Sequence, residues 1–115
     1  MKETISIWGN GKPLRELIYS DDIADACLFF LNRKTSDTLI NIGTGTDKSI
    51  TEYAKLIMDH LGVSFKIHYK KNKPNGTMRK VLDVSLAKKY GWKYKTTLKK
   101  GLSIAVNDYL KRNLI

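Results

Sequence analysis

Apolar and polar positions along the chain follow two periods, two and three-to-four, separated by turn residues. Ile5-Ser6-Ile7-Trp8 alternates with period two and stops at Gly9-Asn10-Gly11-Lys12-Pro13, which predicts a short strand running into a tight loop. Leu17-Ile18-Tyr19 predicts a second extended piece. The period then changes. Ile23, Ala26, Cys27, Phe30 and Leu31 recur at spacings of three and four, behind a start marked by Ser20, Asp21, Asp22 and Asp25 and ahead of the basic Arg33 and Lys34. Negative charge meets unpaired N–H groups at a helix start and positive charge meets carbonyls at its end, so the pattern predicts a helix over 21–32.

Leu39-Ile40-Asn41-Ile42 predicts a buried strand leading into Gly43-Thr44-Gly45-Thr46, a loop that needs unusual backbone angles. Ser49 and Glu52 have the spacing of a capping box, and Ile50, Tyr53, Ala54, Ile57, Met58 and Leu61 form one apolar helical face that Gly62 ends. Phe65 to Tyr69 returns to period two and predicts a half-buried strand with its lysines in water. The pattern lapses from Lys70 to Arg79, where Lys73-Pro74-Asn75-Gly76-Thr77 reads as an exposed loop. Val81 to Val84 is apolar again, followed by a short helix near 85–90 ending at Gly91, and by a longer one over 98–112 with Thr97 as its cap. Three main helices with short strands predict an α/β fold, with too few strands for a complete doubly wound domain.

The 115 residues suit one domain that buries roughly two thirds of its unfolded surface. Hydrophobic residues at 42% and charged residues at 28% are ordinary globular usage. No run of 18 apolar residues and no secretory leader pattern are present, so the expectation is a cytoplasmic protein without a membrane partner. Cys27, the single cysteine, falls on the apolar face of the first helix and reads as a small core residue. The net charge of +10 is concentrated: residues 66–100 hold 12 basic residues and 1 acidic one. Such a stretch attracts polyanions, whether nucleic acid, an acidic membrane or nucleotide phosphates, although a lysine-rich solvated face would look the same.

Several familiar devices are absent or misplaced. Gly43-Thr44-Gly45 follows an apolar segment, but the third glycine of a dinucleotide fingerprint is replaced by Lys48, and no acidic residue stands twenty positions on. The same segment has the wrong spacing for a P-loop, so it reads as a connecting turn. Tyr69 and Lys73 have a Tyr-x-x-x-Lys spacing, yet they leave a strand and run into Pro74, which disfavours the helix that device needs. His60 and His68 lack partners for a metal site, and no glycine-flanked serine starts a hydrolytic triad. No self-sufficient catalytic site is expected. What remains is Trp8 and Arg15 about a glycine-rich turn, together with the basic loop 73–80. Cations from two segments can clamp a pyrophosphate, and an indole can stack on a sugar or base.

Those two segments carry a resemblance. Trp8-Gly9-Asn10-Gly11-Lys12-Pro13-Leu14-Arg15-Glu16-Leu17 with Asp21-Asp22, and Lys73-Pro74-Asn75-Gly76-Thr77-Met78-Arg79-Lys80-Val81-Leu82-Asp83, are similar in order and register to stretches of the GDP-L-fucose synthases. Asn41-Ile42-Gly43-Thr44-Gly45 and Gly91-Trp92 also fit. The resemblance implies the C-terminal, substrate-binding portion of an extended short-chain dehydrogenase/reductase. The intact enzyme epimerises GDP-4-keto-6-deoxy-mannose and reduces it to GDP-L-fucose with NADP as cofactor. It further implies that Trp8, Arg15, Asn75 and Lys80 hold the GDP-sugar, with Arg15 and Lys80 on the pyrophosphate. Asn75 replaces the family's aspartate and Met78 its proline, so Asn75 can accept a hydrogen bond but offers no full charge.

By the same resemblance, the NADP loop and the catalytic residues belong to a portion that precedes these 115 residues, so the chain alone is expected neither to bind NADP nor to turn over. A missing N-terminal half, or self-association through an exposed lobe interface, would complete it. The alternative is a nucleic-acid-binding module that uses residues 66–100, where Tyr69, Tyr90, Trp92 and Tyr94 lie among lysines as stacking platforms do. Against it stands Trp92, which follows Gly91 at a position that suits a core residue.

Overall fold

A computed structural model describes residues 3–113, which form two compact units. Of the described residues, the first comprises 3–15 and 47–81, and the second 16–46 and 82–113.

In the first unit, β1 (Thr4–Trp8) pairs in parallel with β4 (Lys66–Lys70), in a register that sets Ile7 opposite Tyr69 and Trp8 opposite Lys70. Period two turns Ile5, Ile7, Ile67 and Tyr69 inward and leaves Thr4, Ser6, Lys66, His68 and Lys70 exposed, as the alternation predicts. β2 (Leu14–Arg15) forms a short antiparallel ribbon with β3 (Lys48–Ser49), which leads directly into α2 (Ile50–Leu61). The capping box is present in both directions: Ser49 Oγ accepts from Glu52 N at 3.1 Å, and Glu52 Oε2 accepts from Ser49 N at 2.6 Å. Those bonds to Ser49 hold the Glu52 carboxyl below the usual range despite partial desolvation. Gly62 ends α2 at φ +68°, a left-handed angle that suits glycine.

The second unit holds α1 (Ser20–Leu31), α3 (Ser85–Lys89) and α4 (Leu98–Asn113). Its core is Ala26, Ala87 and Trp92, with Phe29, Phe30 and Tyr94 among the side chains packed against them. Asp22 is buried and satisfied, accepting from Thr96 N at 2.8 Å, Lys95 N at 3.0 Å and Thr96 Oγ1 at 3.0 Å. Burial pushes its carboxyl up, but these bonds outweigh burial and leave it below the ordinary value. Asp25 takes the Trp92 indole N–H at 2.9 Å and Lys95 Nζ at 3.2 Å, and is lowered by both. The acidic opening of α1 therefore acts tertiarily: the helix starts at Tyr19 without a side-chain cap, and its carboxylates reach the 92–96 segment. Thr97 does cap α4, accepting from Lys100 N at 3.2 Å.

Several expectations are corrected. Leu17 to Tyr19 is not a strand; the ladder forms at Leu14 and Arg15, where Ser49 and Lys48 offer partners. Leu39 to Ile42 is irregular and Leu39 is 79% exposed, because no described strand pairs with it and an extended segment without a ladder gains no sheet. Cys27 is exposed rather than in the core. Only Ala26 of the apolar face of α1 is fully buried, while Leu31 is mostly exposed, so the helical stripe is wider than the surface the unit covers.

Candidate functional site

The candidate site residues Trp8, Arg15, Asn75 and Lys80 all lie in the first unit, and three of them are linked by the way the 73–80 loop is tied down. Gly9 follows β1 at φ +76°, and Asn75 presses against it: a Cβ on Gly9 would lie 1.8 Å from Asn75 Oδ1. That oxygen accepts from Asn10 N at 2.7 Å. Two residues on, Thr77 O accepts from Arg15 Nη1 at 2.5 Å, while the same nitrogen donates to Leu14 O at 2.7 Å. Leu14 N donates to Met78 O at 2.7 Å, so the loop is held at Asn75, Thr77 and Met78 by the segment that follows Trp8.

Asn75 is thus a structural acceptor, a role an aspartate would fill equally well, and its Nδ2 is the donor it has left. Arg15 uses Nη1 to brace the loop and keeps Nε and Nη2 for other partners. Its own carbonyl accepts from Tyr53 Oη at 2.7 Å, which anchors β2 on α2. The Trp8 indole is 60% exposed, and Lys73 Nζ lies 5.3 Å from its ring centroid. Lys80 is exposed and makes no ion pair with a described residue, whereas the neighbouring Arg79 is engaged with Asp47 at 2.9 Å.

Sequence reasoning passed over Lys73 on Trp8 and also Glu16. In the second unit the Glu16 carboxylate accepts from Gly45 N at 2.5 Å, Thr44 Oγ1 at 3.3 Å and Leu82 N at 3.3 Å. A Cβ at Gly43 would lie 2.8 Å from Glu16 Oε2. The signal was the Gly43-Thr44-Gly45 turn itself, whose N–H groups require an acceptor. Tyr69 and Lys73 are not a catalytic pair: Tyr69 Oη is hydrogen-bonded with Thr51 Oγ1 at 3.0 Å, and Lys73 sits on Trp8.

Comparison with known proteins gives this arrangement its class first. Residues 1–43 match the NAD dependent epimerase/dehydratase family. The structure superposes on a UDP-glucose 4-epimerase from Thermotoga maritima with a TM-score of 0.86 at 29% identity, over 98% of this chain and 36% of that one. It superposes on a GDP-mannoheptose C4 reductase from Campylobacter jejuni, solved with NADP bound, with a TM-score of 0.77 at 35% identity, over 93% of this chain and 35% of the other. The chain is similar to part of these epimerases and reductases and shares their α/β fold over that part. Within that class it is similar to the GDP-L-fucose synthases: it is 41% identical over 109 residues to GDP-L-fucose synthase 1 of Arabidopsis thaliana, covering 95% of this chain and 34% of that protein. The chain therefore spans about a third of the length of the relatives it matches.

Proposed function

We propose that these residues are the GDP-sugar-binding portion of a nucleotide-sugar epimerase/reductase of the GDP-L-fucose synthase type, acting in the cytoplasm. The observation that carries the reading is the double tie between distant segments, Asn75 to Asn10 and Arg15 to Thr77, which holds the basic 73–80 loop against the segment that bears Trp8 and Arg15. Trp8 offers an exposed face for a base or sugar. The free nitrogens of Arg15, with Lys80, supply charge for a diphosphate, and Asn75 sets the loop.

In the intact enzyme NADP supplies the hydride, and the catalytic residues come from the remaining two thirds. This chain's glycine turn does not suit that cofactor: Glu16 already takes the Gly45 N–H and presses on Gly43, where a pyrophosphate would meet a carboxylate. Exposed Leu28, Leu31 and Leu39 in the second unit support a further polypeptide covering that surface, either the missing N-terminal half or a second copy. The nucleic-acid alternative loses its platforms, since Trp92 is 3% exposed with its N–H on Asp25, and Tyr69, Tyr90 and Tyr94 are half-buried. No helix among the described residues is long and apolar enough to cross a membrane.

Titrating the purified chain with GDP tests the reading through the exposed Trp8, Trp92 being buried. Saturable quenching is expected, weakened about tenfold or more by Arg15→Ala, the loss of a charge-assisted hydrogen bond. NADPH oxidation with a GDP-ketosugar is expected only after the complementary portion is added. Absence of GDP binding, or turnover by the chain alone, would overturn the proposal.

A further inference from the structure

The parallel strands β1 and β4 end side by side, at Trp8 and Lys70, and the chain beyond the two ends borders one pocket of about 490 Å³. Gly9, Asn10 and Lys12 line it from the first turn, and Tyr69, Lys71 and Asn75 from the end of β4 and the loop after it. The carboxyl edge of parallel strands is where α/β folds bind ligands, because the connections diverge there and leave a crevice. The volume lies within the range of small-molecule sites.

Its chemistry is one-sided. Lys12 and Lys71 are exposed, no carboxylate lines the pocket, and neither ammonium is ion-paired with a described residue. Asn75 Oδ1 and Asn10 Oδ1 are already occupied, by Asn10 N at 2.7 Å and Lys12 N at 3.0 Å, so the side-chain groups left over on these asparagines are N–H donors. Tyr69 is fixed through Thr51 at 3.0 Å, and its ring lies so close to Gly11 that a Cβ there would fall 2.6 Å from Cε1. A rigid aromatic wall beside two uncompensated cations and spare amide donors matches a ligand with an anionic, acceptor-only end and an organic body. Trp8, Arg15 and Lys80 do not line this pocket.

We propose that this pocket binds the phosphoryl group of a small phosphorylated ligand, with Lys12 and Lys71 neutralising the phosphate and Tyr69 flanking the organic part. The proposal does not depend on the nucleotide-sugar reading, with which it shares only Asn75.

Two-dimensional amide NMR of the full chain, titrated with inorganic phosphate, glucose 1-phosphate or GMP at fixed ionic strength, tests it. Saturable shifts centred on Gly9, Asn10 and Lys71 are expected with all three, and tighter binding of either ester than of phosphate alone shows whether a sugar or a nucleoside occupies the Tyr69 side. Lys12→Gln with Lys71→Gln should weaken binding about tenfold or more, while Lys55→Gln with Lys66→Gln, which removes the same charge elsewhere in the unit, should leave it within about twofold. Equal weakening by both pairs, or shifts that never saturate, would reduce the pocket to diffuse attraction and overturn the proposal. Lys80→Gln, at an exposed residue that neither lines the pocket nor braces the loop, separates the two readings, since it should weaken GDP quenching and spare the phosphate response.

Discussion

The two units of the chain treat charge in opposite ways. In the second unit carboxylates serve as fasteners: Asp22, Asp25 and Glu16 each gather donors from distant segments, and Asp22 does so while buried. In the first unit 11 basic residues face 4 acidic ones, and its central loop is fastened by an amide and by backbone carbonyls instead. Lys12, Lys71 and Lys80 have no carboxylate partner among the described residues, and Lys73 has only an indole face. A charge that is neutralised within the fold contributes to holding it together, whereas a charge left unpaired contributes a field that acts on ligands. The contrast separates a unit whose charges are largely spent on its own fold from one whose lysines are left open to solvent.

Substitutions that exchange these roles sharpen the contrast. The largest effect is expected for Trp92→Ala, which empties the centre of the second unit's core and removes a donor from Asp25; chemical denaturation should show a loss of about 3–5 kcal/mol. Asp22→Ala strands Lys95 N, Thr96 N and Thr96 Oγ1, and should cost about 2–3 kcal/mol in the same measurement.

Acid should act in the same direction. Asp22, Asp25, Glu52 and Asp83 all have folded-state values below their ordinary ones, so each contributes stability that is present above the ordinary carboxylate range and is lost as pH falls through the lower folded values. Melting temperature measured against pH should therefore be flat near neutrality and fall below about pH 4, with a shallower fall for Asp22→Ala.

Ser49→Ala, which removes the α2 cap, should cost about 1 kcal/mol. The smallest effect belongs to Asn75→Asp, which keeps the acceptor for Asn10 N and should alter stability by less than about 0.5 kcal/mol. A loss as large as that of Asp22→Ala would show that the loop depends on the amide and not on the acceptor alone.

Local signals were the readable ones. The capping box at Ser49 and Glu52, the glycine stop at Gly62, the Thr97 cap and the alternation across Phe65 to Tyr69 all depend on residues within four positions of one another, and each survives in the structure with boundaries shifted by a residue. The candidate site was legible in residue type and through likeness: an indole and cations in two separate stretches could be singled out, but nothing in their spacing states that Asn75 would land on Asn10 or Lys73 on Trp8. Leu39 to Ile42 and Cys27 failed for a related reason. Apolarity marks a residue that favours burial, and whether anything covers it is a property of the surroundings.

By itself the sequence determined where helices begin and stop, which faces of the strands carry lysine, and that the positive charge is gathered in one stretch. These follow from backbone hydrogen bonding and side-chain periodicity over a turn or two of chain. Tertiary structure alone decided which charges are spent and which remain: Asp22 and Glu16 became internal acceptors, Arg15 became a brace through one of its nitrogens, and Lys12 and Lys71 were left open beside Tyr69. Pairing depends on distances between residues far apart in the chain, and those distances exist only once the backbone has folded.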